Sequence, residues 1–224
     1  MMTNAILPTH ASGCGGFGSP PDLRNLCVTR LERVENVTLW LDYQRQKAAL
    51  RERLRHHGHA PAQLLERLAQ QSHPFIAGGG ERVLSAGMSE FWLWHGTKPD
   101  IADILVTSGF DERVGGESNG GLYGKGCYFA DAACKANQYA QEVNADGEHC
   151  VIYCRVTMGS AYRTTRAHMG ERRPPDNPAT PGAPFDSIFA ETGVAHGGQQ
   201  QHNEFVVFKG AQVYPEFVVW YTSE

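Results

Sequence analysis

Residues Glu90 to Gly109 read EFWLWHGTKPDIADILVTSG, and the fold is decided by how that stretch is parsed. Glu90 to Trp94 is a dense aromatic run of the kind that forms a strand. Thr97 then matches a helix N-cap: Pro99 falls in the first turn, Asp100 sits three residues on, and Gly109 closes the helix. A strand, the tripeptide His95-Gly96-Thr97 and a helix form one compact unit.

Upstream, Asn36 to about Arg55 reads as a helix, with Leu39, Trp40, Tyr43, Lys47 and Leu50 at helical spacing and Arg and Lys on the other face. A second helix is expected from about Pro61 to Gln71, with Leu64, Leu65 and Leu68 as its apolar stripe. Between them His56, His57 and His59 have no cysteine or acidic neighbour and read as a solvated loop rather than a zinc site. Residues 1–21 are rich in Gly, Pro, Ser and Thr and read as a flexible lead-in. Gly13, Gly15 and Gly18 match GxGxxG there, but no strand precedes them and no helix-forming segment follows, so the dinucleotide fingerprint lacks its setting.

Downstream, residues 114–126 hold six glycines, which points to a loop passing close to a ligand. A strand is expected at Cys127 to Phe129, and Asp131 is placed to cap a helix running to about Val143. Residues 150–157, 205–208 and 217–221 are β-branched and aromatic and read as strands. The Pro-, Gly- and His-rich stretch from Arg163 to Gln201 reads as an extended surface loop. Few helices, many strands and no βαβ alternation point to an α+β domain with antiparallel sheets.

Composition narrows the class. At 224 residues the chain fits one domain, and a core of that size needs no disulfide or metal to fold. A net charge of −4 with both signs interspersed does not favour general phosphate binding. The six cysteines form no CxxC pair, the first residues lack the marks of a signal peptide, and no apolar run is long enough to span a bilayer. An intracellular location, cytoplasmic or nuclear, is the simplest expectation.

Three motifs occur in order: Trp94-His95-Gly96-Thr97, then Tyr123 to Ala130 (YGKGCYFA), then Asn203 to Phe208 (NEFVVF). Together they resemble the catalytic domain of the poly(ADP-ribose) polymerase family, the diphtheria-toxin-like ADP-ribosyltransferases. Asn36 to Tyr43 is similar to the family's entry helix. Gly109 to Arg113 and Lys135 to Tyr139 resemble tankyrases. Pro174-Pro175, Phe185 to Ser187 and Gln212 to Tyr221 resemble macrodomain-linked mono-transferases. The likeness covers roughly residues 22–224 as a single catalytic domain, with no segment like a helical regulatory domain. It implies an α+β ADP-ribosyltransferase fold: two packed, mainly antiparallel β-sheets with flanking helices. It also implies NAD⁺ as substrate, no metal, a protein acceptor or the chain itself, and activity without DNA. A nucleic-acid acceptor is possible but not indicated, and a membrane partner is not expected.

The roles carried over make physical sense. Nicotinamide leaves NAD⁺ as a neutral group through an oxocarbenium-like sugar, so a carboxylate near the developing charge and a rigid grip on both ends are what an enzyme can supply. By resemblance Glu204 binds the nicotinamide-ribose 2′-hydroxyl, Gly96 offers backbone groups to the carboxamide, and His95, supported by Thr97, holds the adenosine-side ribose. Tyr128 and Tyr139 sandwich the nicotinamide ring. Phe129, Ala130, Lys135 and Ala136 flank the site, and Asp100 matches a position near the adenine ribose. Taken singly, His95 reads as a strand-ending histidine, the two tyrosines as core aromatics and Glu204 as an edge charge; their joint occurrence with the right flanks favours the catalytic reading. At two places the sequence departs from the pattern. The family usually has a carboxamide-binding serine where this chain has Ala136. Tankyrases carry a zinc site where this chain offers only His149, Cys150 and Cys154, which read as strand residues with free thiols. A glycohydrolase or a non-catalytic NAD-binding module would share most of these residues.

Overall fold

The computed structural model describes residues 26–57, 83–115, 121–191 and 202–223. The lead-in, its GxGxxG match, the expected helix from Pro61 to Gln71, His59 and the centre of the glycine-rich loop lie outside the described residues.

The described chain is an α+β structure in which β-strands dominate. β1 (Leu26–Arg33) precedes the long helix α1 (Val37–His57), and β2 (Val83–Ser85) leads into β3 (Glu90–Gly96). Helix α2 (Pro99–Ser108) follows, then β4 (Cys127–Ala130), the short helix α3 (Ala133–Asn137), β5 (His149–Thr157), β6 (Ala161–Thr164), β7 (Ser187–Ala190), β8 (Glu204–Val207) and β9 (Val213–Ser223).

The helices have local causes. Asn36 caps α1: its Oδ1 accepts from Leu39 N–H at 3.1 Å. Its Nδ2 donates to the carbonyls of Val106 and Thr107 at 3.1 and 3.0 Å, so the same side chain satisfies two orphan acceptors at the end of α2. The α2 cap is Lys98, not Thr97, and makes no side-chain capping bond. Pro99 already has the φ of a first helical residue, which moves the cap to its immediate neighbour. Gly109 ends α2 at φ 86°, its N–H bonded to Leu105 O, as expected. Helix α3 is much shorter than the sequence predicts, and Asp131 does not cap it; the cap is Ala132. Tyr139 and Ala140 close i→i+3 turns on Ala136 and Asn137, which tighten the chain and end the helix there.

The strands form one continuous sheet rather than two separate ones, in the order β1-β9-β5-β3-β4-β8-β7-β6, with β2 paired to β3. The expected division survives as two halves joined at a single rung, Trp94 opposite Ala130. All pairs are antiparallel except β6–β7, which is parallel. The stretch expected to be an irregular loop therefore contains a buried strand, β7. It has four residues, all buried, and a continuous short apolar run offers no alternation to read. β9 holds Pro215 in the sheet interior at a register shift opposite Tyr153 and Cys154, where a missing donor is tolerated.

Both faces of β3 are covered, which is why it is so aromatic. Phe91 and Leu93 enter the main core with Ile152, Val156, Phe129, Phe189 and Phe205, drawn from both halves of the sheet. Trp92 and Trp94 point the other way, into a cluster with Tyr153, Ala133 and Ala136. At the head of β3 the buried Glu90 is accounted for by Tyr43 OH at 2.6 Å and Lys47 Nζ at 2.5 Å, with Thr157 Oγ1 donating to the same phenol at 2.9 Å. Burial and the adjacent Glu90 carboxylate hold the Tyr43 phenol well above its usual range. No helix among the described residues is long and apolar enough to cross a membrane.

Candidate active site

The candidate residues gather where the two halves of the sheet meet. β3 ends in His95-Gly96, β4 carries Tyr128, Phe129 and Ala130, and β8 begins at Glu204. Ala130 stands opposite Trp94 on one side and Glu204 on the other, so the β4 backbone sets the spacing between the His95 and Glu204 strands. Helix α3 follows directly and brings Lys135.

His95 is half-buried, its ring edge-on to Phe110 (5.0 Å between centroids) and tilted on Phe129 (5.4 Å). Nδ1 lies 2.8 Å from the carbonyl oxygen of Tyr128. A carbonyl only accepts, so Nδ1 carries the proton and Nε2 keeps a lone pair for a donor such as a hydroxyl. Burial lowers the His95 pKa from 6.5, only partly opposed by the Tyr128 bond, and the neutral ring is thereby favoured.

Tyr128 uses its hydroxyl internally. It donates to Gly124 O at 2.7 Å and accepts from Tyr123 N–H at 2.8 Å. Burial and then the nearby Glu204 and Tyr139 raise its pKa, so the phenol stays protonated and the ring face is what it can offer a ligand. The glycine loop behind it is held by Lys125 N–H to Glu171 O at 2.7 Å. Gly124 sits at φ 103°, where a Cβ would also meet Glu171 O at 2.9 Å, so only glycine suits this turn.

Glu204 and Lys135 form the charged centre. Lys135 Nζ is 2.9 Å from Glu204 Oε1 and 3.3 Å from the Tyr139 hydroxyl, and it lies 5.2 Å from the centre of that ring. Burial lowers the Lys135 pKa, but Glu204 and Tyr139 more than offset it, and the net shift is upward. The pair is largely buried, with 16% of the Lys135 and 12% of the Glu204 side chain exposed, so the attraction is screened far less than on the surface. Tyr139 is the exposed member of the group.

Packing alone requires a glycine at position 96. A Cβ there would lie 1.7 Å from the carbonyl oxygen of Ala136, so glycine allows α3 to press on the end of β3. The Ala136 side chain is buried beside Trp94 and Ala133. Phe129 faces the core and supports the His95 ring. Thr97 is buried, and its carbonyl faces the Cys150 thiol at 3.9 Å. Asp100 stands apart: it is exposed, its Oδ1 accepts from Ile101 N–H, and it lines a cleft of about 490 Å³ with Arg30, Glu32 and Trp220. His149 and Cys150 lie on opposite faces of β5, so they do not converge on one point. No cluster of three potential metal ligands occurs among the described residues. The sequence reading passed over two polar contacts beside Glu204: Asn203 Nδ2 to Asp131 Oδ2 at 2.7 Å, and His202 Nε2 to Cys134 Sγ at 3.7 Å. The one signal for them was a polar His-Asn pair immediately before an apolar strand.

Comparison with known proteins gives the family of the chain. The profile of the family described as Poly(ADP-ribose) polymerase catalytic domain matches residues 19–223. Protein mono-ADP-ribosyltransferase PARP12 of Homo sapiens is 29% identical over 88% of the chain, which corresponds to 22% of that relative. Protein mono-ADP-ribosyltransferase PARP11 of Mus musculus is 24% identical over 91% of the chain and 54% of its own length. Poly [ADP-ribose] polymerase 1 of Arabidopsis thaliana is 24% identical over 57% of the chain and 15% of its own. The chain thus spans about a fifth of the first of these relatives and about half of the second. With the profile covering nearly every residue of the fold just described, this chain belongs to the poly(ADP-ribose) polymerase catalytic-domain family.

Proposed function

We propose that this chain is an NAD⁺ ADP-ribosyltransferase that moves ADP-ribose to an acceptor, most simply a protein side chain, and releases nicotinamide. The observation that carries this reading is the largely buried Lys135–Glu204 pair, 2.9 Å apart and beside the Tyr128 and Tyr139 rings. A carboxylate held in place, with its partner cation on one side, is preorganised to face positive charge developing on a bound sugar. Lys135 occupies Glu204 Oε1, which leaves Oε2 for a ribose hydroxyl. The Tyr128 and Tyr139 rings suit the nicotinamide, the Gly96 backbone suits its carboxamide, and the neutral His95 Nε2 accepts from a ribose hydroxyl. These donors and acceptors fit NAD⁺ without a metal ion. A mono- or short-chain product fits the names of the PARP12 and PARP11 relatives, while the acidic residue at position 204 is compatible with longer chains.

The test is incubation with labelled NAD⁺, wild type beside Glu204→Ala, separating protein-bound label from free ADP-ribose. Protein-bound label that disappears in the variant is the expected result. Free ADP-ribose alone would make the chain a glycohydrolase, and no NAD⁺ consumption would make it a binding module.

Two further results are expected. The first concerns pH. The folded state lowers the His95 pKa below 6.5, so the neutral acceptor form is present above that value. It is lost, together with its contribution to stability, as pH falls through the lower folded value. The KM for NAD⁺ should be flat above about pH 7 and rise in acid, and His95→Gln should abolish the rise. An acid limb unchanged in that variant would remove His95 from ribose binding. The second concerns Ala136. Restoring a hydroxyl with Ala136→Ser should strengthen benzamide inhibition by about fivefold, the equivalent of about 1 kcal/mol for one neutral hydrogen bond. No gain would assign the position to packing against Trp94.

A further inference from the structure

Three consecutive residues entering β8 each reach the segment that carries α3. His202 Nε2 lies 3.7 Å from Cys134 Sγ, Asn203 Nδ2 donates to Asp131 Oδ2 at 2.7 Å, and Lys135 Nζ donates to Glu204 Oε1 at 2.9 Å. Asp131, Cys134, His202 and Glu204 are buried and Asn203 half-buried, so these contacts are formed largely out of water. β8 begins only at Glu204, whose backbone is registered against Ala130 and Ala190. The sheet therefore fixes where the Glu204 backbone lies, but its carboxylate stands at the end of a flexible side chain. The carboxylate's partner, Lys135, sits on the turn and helix that follow β4, and Asp131 is the first residue of that turn.

We propose that Asn203 and Asp131, backed by the His202–Cys134 contact, are positioning residues: they lock the β4–α3 turn to the start of β8 and so hold Lys135 and Glu204 in register. The Asn203 amide is well matched to this task. It gives Asp131 a charge-assisted hydrogen bond without adding charge. Aspartate at 203 would instead set two carboxylates against each other, whereas exchanging the two residues would rebuild the pair with the donor on the other side. The proposal rests on Glu204 being catalytic.

The experiment is steady-state NAD⁺ consumption by Asn203→Ala, Asn203→Asp and the exchange D131N/N203D, alongside wild type and Glu204→Ala, with thermal unfolding of each. Asn203→Ala is expected to lower kcat by about tenfold or more while KM for NAD⁺ changes by less than about twofold, the pattern of a misplaced reacting group rather than a lost binding contact. Asn203→Asp should be worse, and the exchange should return kcat to within about threefold of wild type. Wild-type kcat in Asn203→Asp, or a folded exchange variant no better than Asn203→Asp, overturns the proposal. If Asn203→Ala does not fold, Asn203→Asp against the exchange decides alone, and an exchange that restores folding but not kcat counts against it. Glu204→Ala separates the two ideas. Full activity there defeats the catalytic reading itself, whereas an inactive Glu204→Ala beside active Asn203 variants defeats only the positioning role.

Discussion

Glu204→Gln is expected to lower NAD⁺ turnover by about 10²–10³-fold while the protein stays folded, the effect seen when one preorganised electrostatic partner of a transition state is removed. Glutamine has the size of glutamate and the same hydrogen-bonding reach, so the backbone pairs of β8 with β4 and β7 are untouched. What is lost is charge. The Lys135 ammonium, which Glu204 and Tyr139 keep protonated against the effect of burial, would face a neutral amide. Positive charge on the sugar would then develop beside an unopposed cation. Kinetics should show a large fall in kcat and a much smaller change in KM, because the missing interaction matters mainly in the transition state. A variant that retains more than about a third of wild-type kcat would show that Glu204 is not the charge-stabilising group, and the reaction would then need another carboxylate.

Gly96→Ala should be nearly as damaging, through packing. The added Cβ would lie 1.7 Å from the Ala136 carbonyl oxygen and 2.6 Å from its carbon, backbone atoms that cannot rotate away. Helix α3 must therefore move off the end of β3 by more than an ångström. Over-packing of this kind costs about 3 kcal/mol or more, which in a chain of this size corresponds to a fall in Tm of about 6–12 °C. Moving α3 also carries Lys135 away from Glu204, so turnover should fall by about a hundredfold even in the fraction that folds. Gly87→Ala is the control: no atom lies within 4 Å of its Cβ, and its φ is not positive. Equal Tm values for the two variants would mean that α3 does not rest on Gly96.

Much of the fold could be read along the chain because it has local causes. Asn36 caps α1, Pro99 starts α2 and Gly109 ends it, and each acts on its own neighbours in sequence. β3, β5 and β9 are long and rich in β-branched or aromatic residues, so they stand out without any knowledge of partners. β7 does not, because four buried residues in a Pro- and Gly-rich region carry no period. β1 went unread for a related reason: its burial alternates only loosely, as expected of a sheet edge paired to β9 alone. The short α3 ends through its own i→i+3 turns, whereas the unused Asp131 cap is a case in which a long-range bond overrode a local preference. Asp131 is taken by Asn203, 72 residues away in sequence.

The sequence by itself determined the family and the chemical types available to the site. Histidine, glycine, two tyrosines and a glutamate, in order and with their flanks, are a pattern that survives without coordinates. Only the tertiary structure decided how they are used. It made one sheet of two halves through the Trp94–Ala130 rung and turned the Tyr128 hydroxyl inward to the glycine loop. It showed that Gly96 makes room for the Ala136 carbonyl and paired Glu204 with Lys135. The physical reason is range. Caps, turns and strand propensity act over a few residues, whereas hydrogen bonds and charge pairs in a low-dielectric interior join whatever the fold brings within 3 Å.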